Sequence, residues 1–210
     1  MDTAVELIAQ RKHSDFTLRE LAKHLDVTHA ATYHHFRDKE DLLAVVAQQG
    51  YASLNAQLQE ALLRQTQSDP NSNAILNLHA IGIAYLRFAI ENQAHFRVMF
   101  GRKFGDLSLF PEIHQVSQTS QDILLSVLEQ AQQEGYYVDA NLAELLALQW
   151  ASLHGLALLT INGHFEHLDP ESSLQSFFTR VLQHLLCGVA TPDGAALFQR
   201  IGNQEVGCSE

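Results

Sequence analysis

Leu174, Phe177, Phe178, Val181, Leu182, Leu185 and Leu186 recur at i, i+3, i+4, i+7, i+8, i+11 and i+12, the spacing of one continuous apolar helix face. The stretch from Leu142 to Ile161 is more apolar still, opened by Asp139 as an N-cap and closed at Asn162-Gly163, and a helix so apolar all round has to be covered on several sides. Helical spacing also runs through 3–11, 17–25, 28–35, 38–65, 74–92, 94–101 and 111–134, with boundaries good to about 2–4 residues. No stretch combines period-two alternation with β-branched enrichment and a tight-turn dipeptide, so the expected class is all-α with about nine helices. Ser68-Asp69-Pro70-Asn71, Gly101 to Gly105 and Gly135 punctuate the pattern, and the tail after Thr191-Pro192-Asp193-Gly194 reads as mobile.

Composition narrows the class. Hydrophobic residues make up 46% of the 210 positions and charged ones 18%, which excludes a disordered or low-complexity chain. The two cysteines, Cys187 and Cys208, are too few for a disulfide framework, and a reducing cytoplasm fits them best. No window reaches the ~20 uninterrupted apolar residues that span a bilayer, so the reading is a soluble cytoplasmic protein without a membrane partner. A net charge of −11 rules out a uniformly basic coating protein. The charge is uneven, however: residues 1–50 hold six basic and eight acidic side chains and five of the twelve histidines, leaving −9 on residues 51–210.

The candidate chemistry lies in that first segment. Residues 16–36 read as two short helices joined by two or three residues, the helix-turn-helix arrangement. Thr17 and Thr28 stand at N-cap positions, and Glu20 completes a capping box with Thr17. Leu18, Leu21, Leu25, Val27, Ala31 and Phe36 are the expected shared interior. The second helix is expected to present His29, Ala30, Thr32, Tyr33 and His34 outward, small and polar groups that can enter a major groove. Asp38 then caps a long helix with Lys39 in its first turn, a cation beside free backbone N–H groups that suits a phosphate.

The run from Phe16 to Leu43, above all Tyr33-His34-His35-Phe36-Arg37-Asp38-Lys39-Glu40-Asp41-Leu42-Leu43, resembles the DNA-binding domain of TetR-family transcriptional repressors. Tyr85 to Asn92, Phe96 to Phe100, and Trp150-Ala151-Ser152-Leu153-His154-Gly155 are similar to a C-terminal subgroup named for its Trp, His and Gly. The resemblance implies a DNA-binding domain over 1–45, an effector-binding and dimerisation domain over 46–190, and a tail over 191–210. It implies a homodimer on a palindromic double-stranded operator, repressing by blocking polymerase and released by a small apolar or aromatic effector. Tyr33, His34, Lys39 and Thr17 are then expected at the DNA backbone, Thr28, His29, Ala30 and Thr32 near bases, and Arg19 among the DNA-binding residues. Asp26 takes the turn position where the family usually has Gly, and the second helix lacks Arg and Lys.

The aromatic set His79, Tyr85, Phe96, Met99 and Phe100, with Leu124, Trp150 and His154, is what lines an apolar ligand cavity, and the resemblance puts the effector among these helices. It also puts a four-helix dimer interface on the last two apolar helices, through Leu174, Phe178, Val181, Leu182 and Leu185. The histidines at 29, 34 and 35 and the His164-Phe165-Glu166-His167 pair lack metal-ligand spacing, and no cofactor fingerprint or nucleophile elbow is present, so neither a metal, a cofactor nor an enzyme is expected. The rival is a dimeric small-molecule sensor without specific DNA binding.

Overall fold

A computed structural model of the chain describes residues 2–11, 16–24, 26–68, 72–101, 110–165 and 173–206. They form ten helices: α1 (Asp2–Arg11), α2 (Leu18–His24), α3 (His29–His35), α4 (Lys39–Ser68), α5 (Ala74–Glu91), α6 (Gln93–Met99), α7 (Pro111–Gln133), α8 (Leu142–Ile161), α9 (Leu174–Cys187) and α10 (Pro192–Val206). Among the described residues no strand forms, and the one extended feature is an isolated bridge between Tyr137 and Ala190.

Contacts group the chain into two units, Met1–Leu54 with Glu91–Thr119, and Asn55–Ile90 with Ser120–Glu210. The first is built on α1, which packs against α2 and α6. Leu7, Ile8, Leu18, Leu21, Leu42, Leu43, Val46 and Phe96 are buried there. Gly50 lies where a Cβ would stand 2.5 Å from the Met99 sulfur, so a side chain at that position would force Met99 of α6 to shift.

In the second unit α9 packs on α8 and α10. Its Leu182 stands 3.1 Å from the Cβ position of Gly82, so the α5 glycine admits the leucine side chain. The broad α9 stripe divides: Phe178, Leu182 and Leu186 are buried, while Leu174 is exposed and Phe177, Val181 and Leu185 are half-buried. The caps differ slightly from expectation. Asn141, rather than Asp139, accepts the Ala143 N–H at 2.8 Å, because α8 starts only at Leu142. Ser173 accepts the Ser176 N–H at 3.1 Å ahead of α9.

The tail expected to be mobile is helical over 192–206. Thr191, not a free turn, opens α10: its hydroxyl accepts the Gly194 N–H at 3.3 Å and donates to the Gly135 carbonyl at 2.9 Å. The Thr191 N–H also donates to the Tyr136 carbonyl at 2.8 Å. Pro192 follows as a first-turn proline, and Phe198 of α10 is fully buried. The α7–α8 connection that receives this helix turns at Gly135, whose φ is +75°. It is tied across by Gln132, whose side-chain amide donates to the carbonyls of Val138 (2.9 Å) and Ala140 (2.8 Å).

Candidate functional site

Glu20 closes the N-terminus of α2 by accepting from both the Thr17 N–H (2.7 Å) and the Thr17 hydroxyl (3.1 Å), while the Thr17 oxygen accepts the Glu20 N–H at 3.2 Å. The capping box is therefore complete, and both Thr17 donors point at a carboxylate. Asp26 in the following turn has φ +51°, the left-handed conformation that Asp tolerates better than most residues. Thr28 has extended backbone and its hydroxyl accepts the Ala31 N–H at 3.3 Å, which starts α3.

Ala30, Tyr33 and His34 of α3 are exposed, Tyr33 to 50%, as are Thr17, Arg19 and Thr28. His29 opens the helix, and its side chain lies outside the described part. Thr32 does not reach outward: it is only 6% exposed. Four residues after the cap, it falls on the helix side turned toward α2 and lines, with Ala4, Leu21, Val27, Ala31 and Leu42, an apolar recess of about 440 Å³. Val27, expected inside, is 45% exposed at the lip of this recess. Leu25 lies outside the described residues.

Asp38 caps α4 by accepting the Asp41 N–H at 2.8 Å. Lys39, the first residue of α4, holds its ammonium 5.1 Å from the centre of the Phe16 ring, a cation–π contact that fixes the charge beside the start of the helix. Arg37, which the sequence reading leaves without a role, is exposed and pairs with Asp41 at 3.1 Å. The hydrogen bond and charge of Arg37 hold the Asp41 carboxyl below the usual carboxylate range. The i, i+4 Arg-Asp spacing at the foot of a helix is the signal that would have found this pair.

The aromatic set divides between the units. Phe96, Met99 and Phe100 belong to the first, where the Phe96 and Phe100 rings meet at a tilt with their centres 4.8 Å apart, Phe100 meets Tyr51 edge-on at 5.8 Å, and the Tyr51 hydroxyl donates to the Met99 carbonyl at 3.4 Å. Burial pushes the Tyr51 hydroxyl up to about 12. His79, Tyr85, Leu124, Trp150 and His154 belong to the second. There the Tyr85 hydroxyl and His154 Nδ1 lie 3.0 Å apart and join α5 to α8. Nearby in sequence, Gln149 is buried and its amide donates to the Tyr137 hydroxyl at 3.2 Å. In the polar middle of α7, Ser117 is buried and bonds to the His114 carbonyl, Ser120 reaches Asn55, and Gln118 and Asp122 are exposed. Of the second histidine pair, Glu166 and His167 lie outside the described residues.

Half-burial lowers the proton affinity of His154 below the ordinary histidine value. The unfolded chain then binds a proton that the native state refuses, so stability falls as pH drops below about 6.5. Thermal melts at pH about 7.5, 6.5 and 5.5 should show a shallower acid decline for His154→Gln than for the wild type. Parallel declines would refute this assignment.

The family model for bacterial regulatory proteins of the tetR family matches residues 1–46, and that for the tetracyclin repressor-like C-terminal domain matches residues 78–185. A helical bundle carrying a capped helix-turn-helix, matched over more than half its length, defines a bacterial regulatory protein. The chain belongs to the TetR family. Its fold is similar to that of a tetR-family regulatory protein from Rhodococcus RHA1 (TM-score 0.71, 22% identity, 90% of this chain and 93% of that one). It is also similar to the ketosteroid transcriptional regulator KstR2 of Mycobacterium tuberculosis (TM-score 0.66, 18% identity, 90% and 92%). The fatty acid regulator FadR from Bacillus subtilis, solved with stearoyl-CoA, compares similarly (TM-score 0.69, 18% identity, 90% and 96%). No curated protein sequence matches this chain significantly.

Proposed function

We propose that this TetR-family protein is a ligand-responsive repressor that binds a palindromic operator as a homodimer and is released by a small apolar or aromatic effector. The observation that carries the reading is the exposed face of α3, where Ala30, Tyr33 and His34 stand between a fully capped α2 and the cation-bearing start of α4. Tyr33, His34, Lys39 and Arg19 take the phosphates, joined by Arg37, and Thr28, His29 and Ala30 approach the base edges. Thr17 orders the helix start rather than donating to a phosphate, since its donors are committed to Glu20. Residues 1–45 make the DNA-binding part and 46–190 the effector and dimer part.

Dimerisation is supported by unfilled apolar surface. Helices α5 and α8 are both long and apolar enough to cross a membrane, but 56% of the apolar window in α5 is buried and only 28% of that in α8. Ala147, Leu148, Ala151, Gly155 and Leu159 keep one face of α8 open, and among the described residues nothing beyond the adjoining turns of α8 itself lies within 4 Å of the Cβ position of Gly155. Small residues there permit close approach of a partner helix, so a second copy rather than a bilayer covers this face of a cytoplasmic protein. On α9 the interface falls to Leu174, Val181 and Leu185. Phe178 and Leu182, expected at the interface, are 4% and 1% exposed within the single chain and belong to its own core.

The effector reading rests on the Tyr85–His154 pair beside Trp150, an apolar setting with one hydrogen-bonding edge. Sequencing genomic DNA fragments captured by the purified full chain tests the whole reading. An enriched inverted repeat is the expected result, and the absence of any enriched palindrome would favour the sensor without specific DNA binding. Lys39→Ala should weaken binding to all sequences alike and reduce the salt slope by about 1. A changed sequence preference at unchanged affinity would remove Lys39 from the phosphate.

A further inference from the structure

The second unit is strongly acidic, with 13 Asp and Glu against four arginines, Arg64, Arg87, Arg180 and Arg200. Two of those four line one groove. It lies between the C-terminal half of α4, the outer stripe of α5 and the start of α9, and encloses about 570 Å³. Its floor is apolar, made by Ala61 of α4 and Ala80, Ile83 and Ala84 of α5. Its walls carry Arg64 and Arg87 with the carboxamides of Gln57, Gln65 and Gln175. Glu60 also faces it and pairs with Arg64 at 2.6 Å, which leaves Arg87 as the cation with no ion pair to another described residue.

On α5 positions 80, 83, 84 and 87 of the lining follow the i, i+3, i+4, i+7 rule of a single face, and the buried His79, one of the residues expected at the effector, borders the groove at its edge. Tyr85 falls on the opposite side of that helix, by the 3.6-residue repeat, so the groove and the Tyr85–His154 pair are separate places. A guanidinium offers a planar fork that a carboxylate or phosphate fills with two parallel hydrogen bonds, a local attraction that acts against the net negative charge of the unit. The carboxamides supply further donors, and the alanine and isoleucine floor favours a short hydrocarbon part over a fully hydrated ion.

We propose that this groove binds a small amphipathic monoanion, with its acidic head at Arg87 and its apolar portion along Ala61, Ala80, Ile83 and Ala84. The inference does not rest on the effector reading above, because it concerns another face of α5 and requires no DNA.

Isothermal titration of the full chain with octanoate tests it, with octan-1-ol as the uncharged counterpart. Saturable octanoate binding is expected, weakened about tenfold or more in Arg87→Gln by loss of a charge-assisted pair. Octan-1-ol should bind more weakly than octanoate to the wild type and about equally to wild type and Arg87→Gln. Tyr85→Phe should leave octanoate binding unchanged, whereas an effect on DNA release confined to Tyr85→Phe would concern only the other site. Arg87 is exposed, so its replacement leaves the core intact. Octanoate affinity unchanged by Arg87→Gln, affinity lost in Tyr85→Phe instead, or no saturable octanoate binding at millimolar concentration would each overturn the proposal.

Discussion

Leu148→Glu combined with Ala151→Glu is expected to yield a folded monomer that no longer holds an inverted repeat. Both side chains are exposed on α8, so neither change disturbs the protomer's own packing, and helical circular dichroism should be retained. In a two-fold interface each substitution appears twice, once on each copy, and places like charges in an apolar seam. Burying unpaired carboxylates there costs several kcal/mol, and about 4 kcal/mol corresponds to roughly a thousandfold in dissociation constant. Sedimentation equilibrium measures the first effect and a mobility shift with a two-half-site duplex the second. A wild-type chain that sediments as a monomer at micromolar concentration, or a double variant that remains a dimer, would remove α8 from the interface.

Gly194→Val should be the most damaging single change among the glycines of the second unit. A Cβ at Gly194 would run into the backbone carbonyl of Tyr136, and a backbone atom cannot rotate away as a side-chain tip can. Overpacking of this kind costs about 1–3 kcal/mol, which lowers the melting temperature of a chain this size by roughly 3–10 °C. Trypsin should also cut faster at the exposed Arg200 as α10 loses its seat. Gly188→Ala is the control, since its Cβ would come no closer than 3.4 Å to any atom and the residue is in the right-handed helical region. Equal melting temperatures for the two variants would mean that α10 does not depend on that contact.

Nine of the ten helices are visible in the sequence because apolar residues at 3.6-residue spacing are the direct imprint of burying one side of a helix. Thr191-Pro192-Asp193-Gly194 is ambiguous in the sequence. The same four residues suit a turn or a helix start, and Leu197 and Phe198 give too short a stripe to decide between them. What decides is remote: the carbonyls of Gly135 and Tyr136 accept from Thr191, a pairing across more than fifty residues that no local pattern records. Thr32 reads as outward in the sequence for a related reason. On a helix of seven residues the inner and outer faces differ by a single position, and its hydroxyl reads as polar although its backbone position points inward. Phe178 and Leu182 share one wide apolar stripe with Val181 and Leu185, and a stripe that wide serves both the chain's own core and a second surface without marking the border. The capping box at Thr17 and Glu20 and the left-handed Asp26 are legible because they depend only on neighbours in sequence.

The connection between α7 and α8 is bridged by a primary amide, so the seat of α10 depends on the chemistry of one side chain. Gln132 satisfies two carbonyls with one NH₂ group. Replacement of that amide by a carboxylate, as in Gln132→Glu, removes both donors and sets an oxygen anion against the two carbonyl oxygens. Leaving those acceptors unmet costs about 1–3 kcal/mol, charged to the same turn that seats α10. A chain so changed would therefore loosen at its carboxyl-terminal helix.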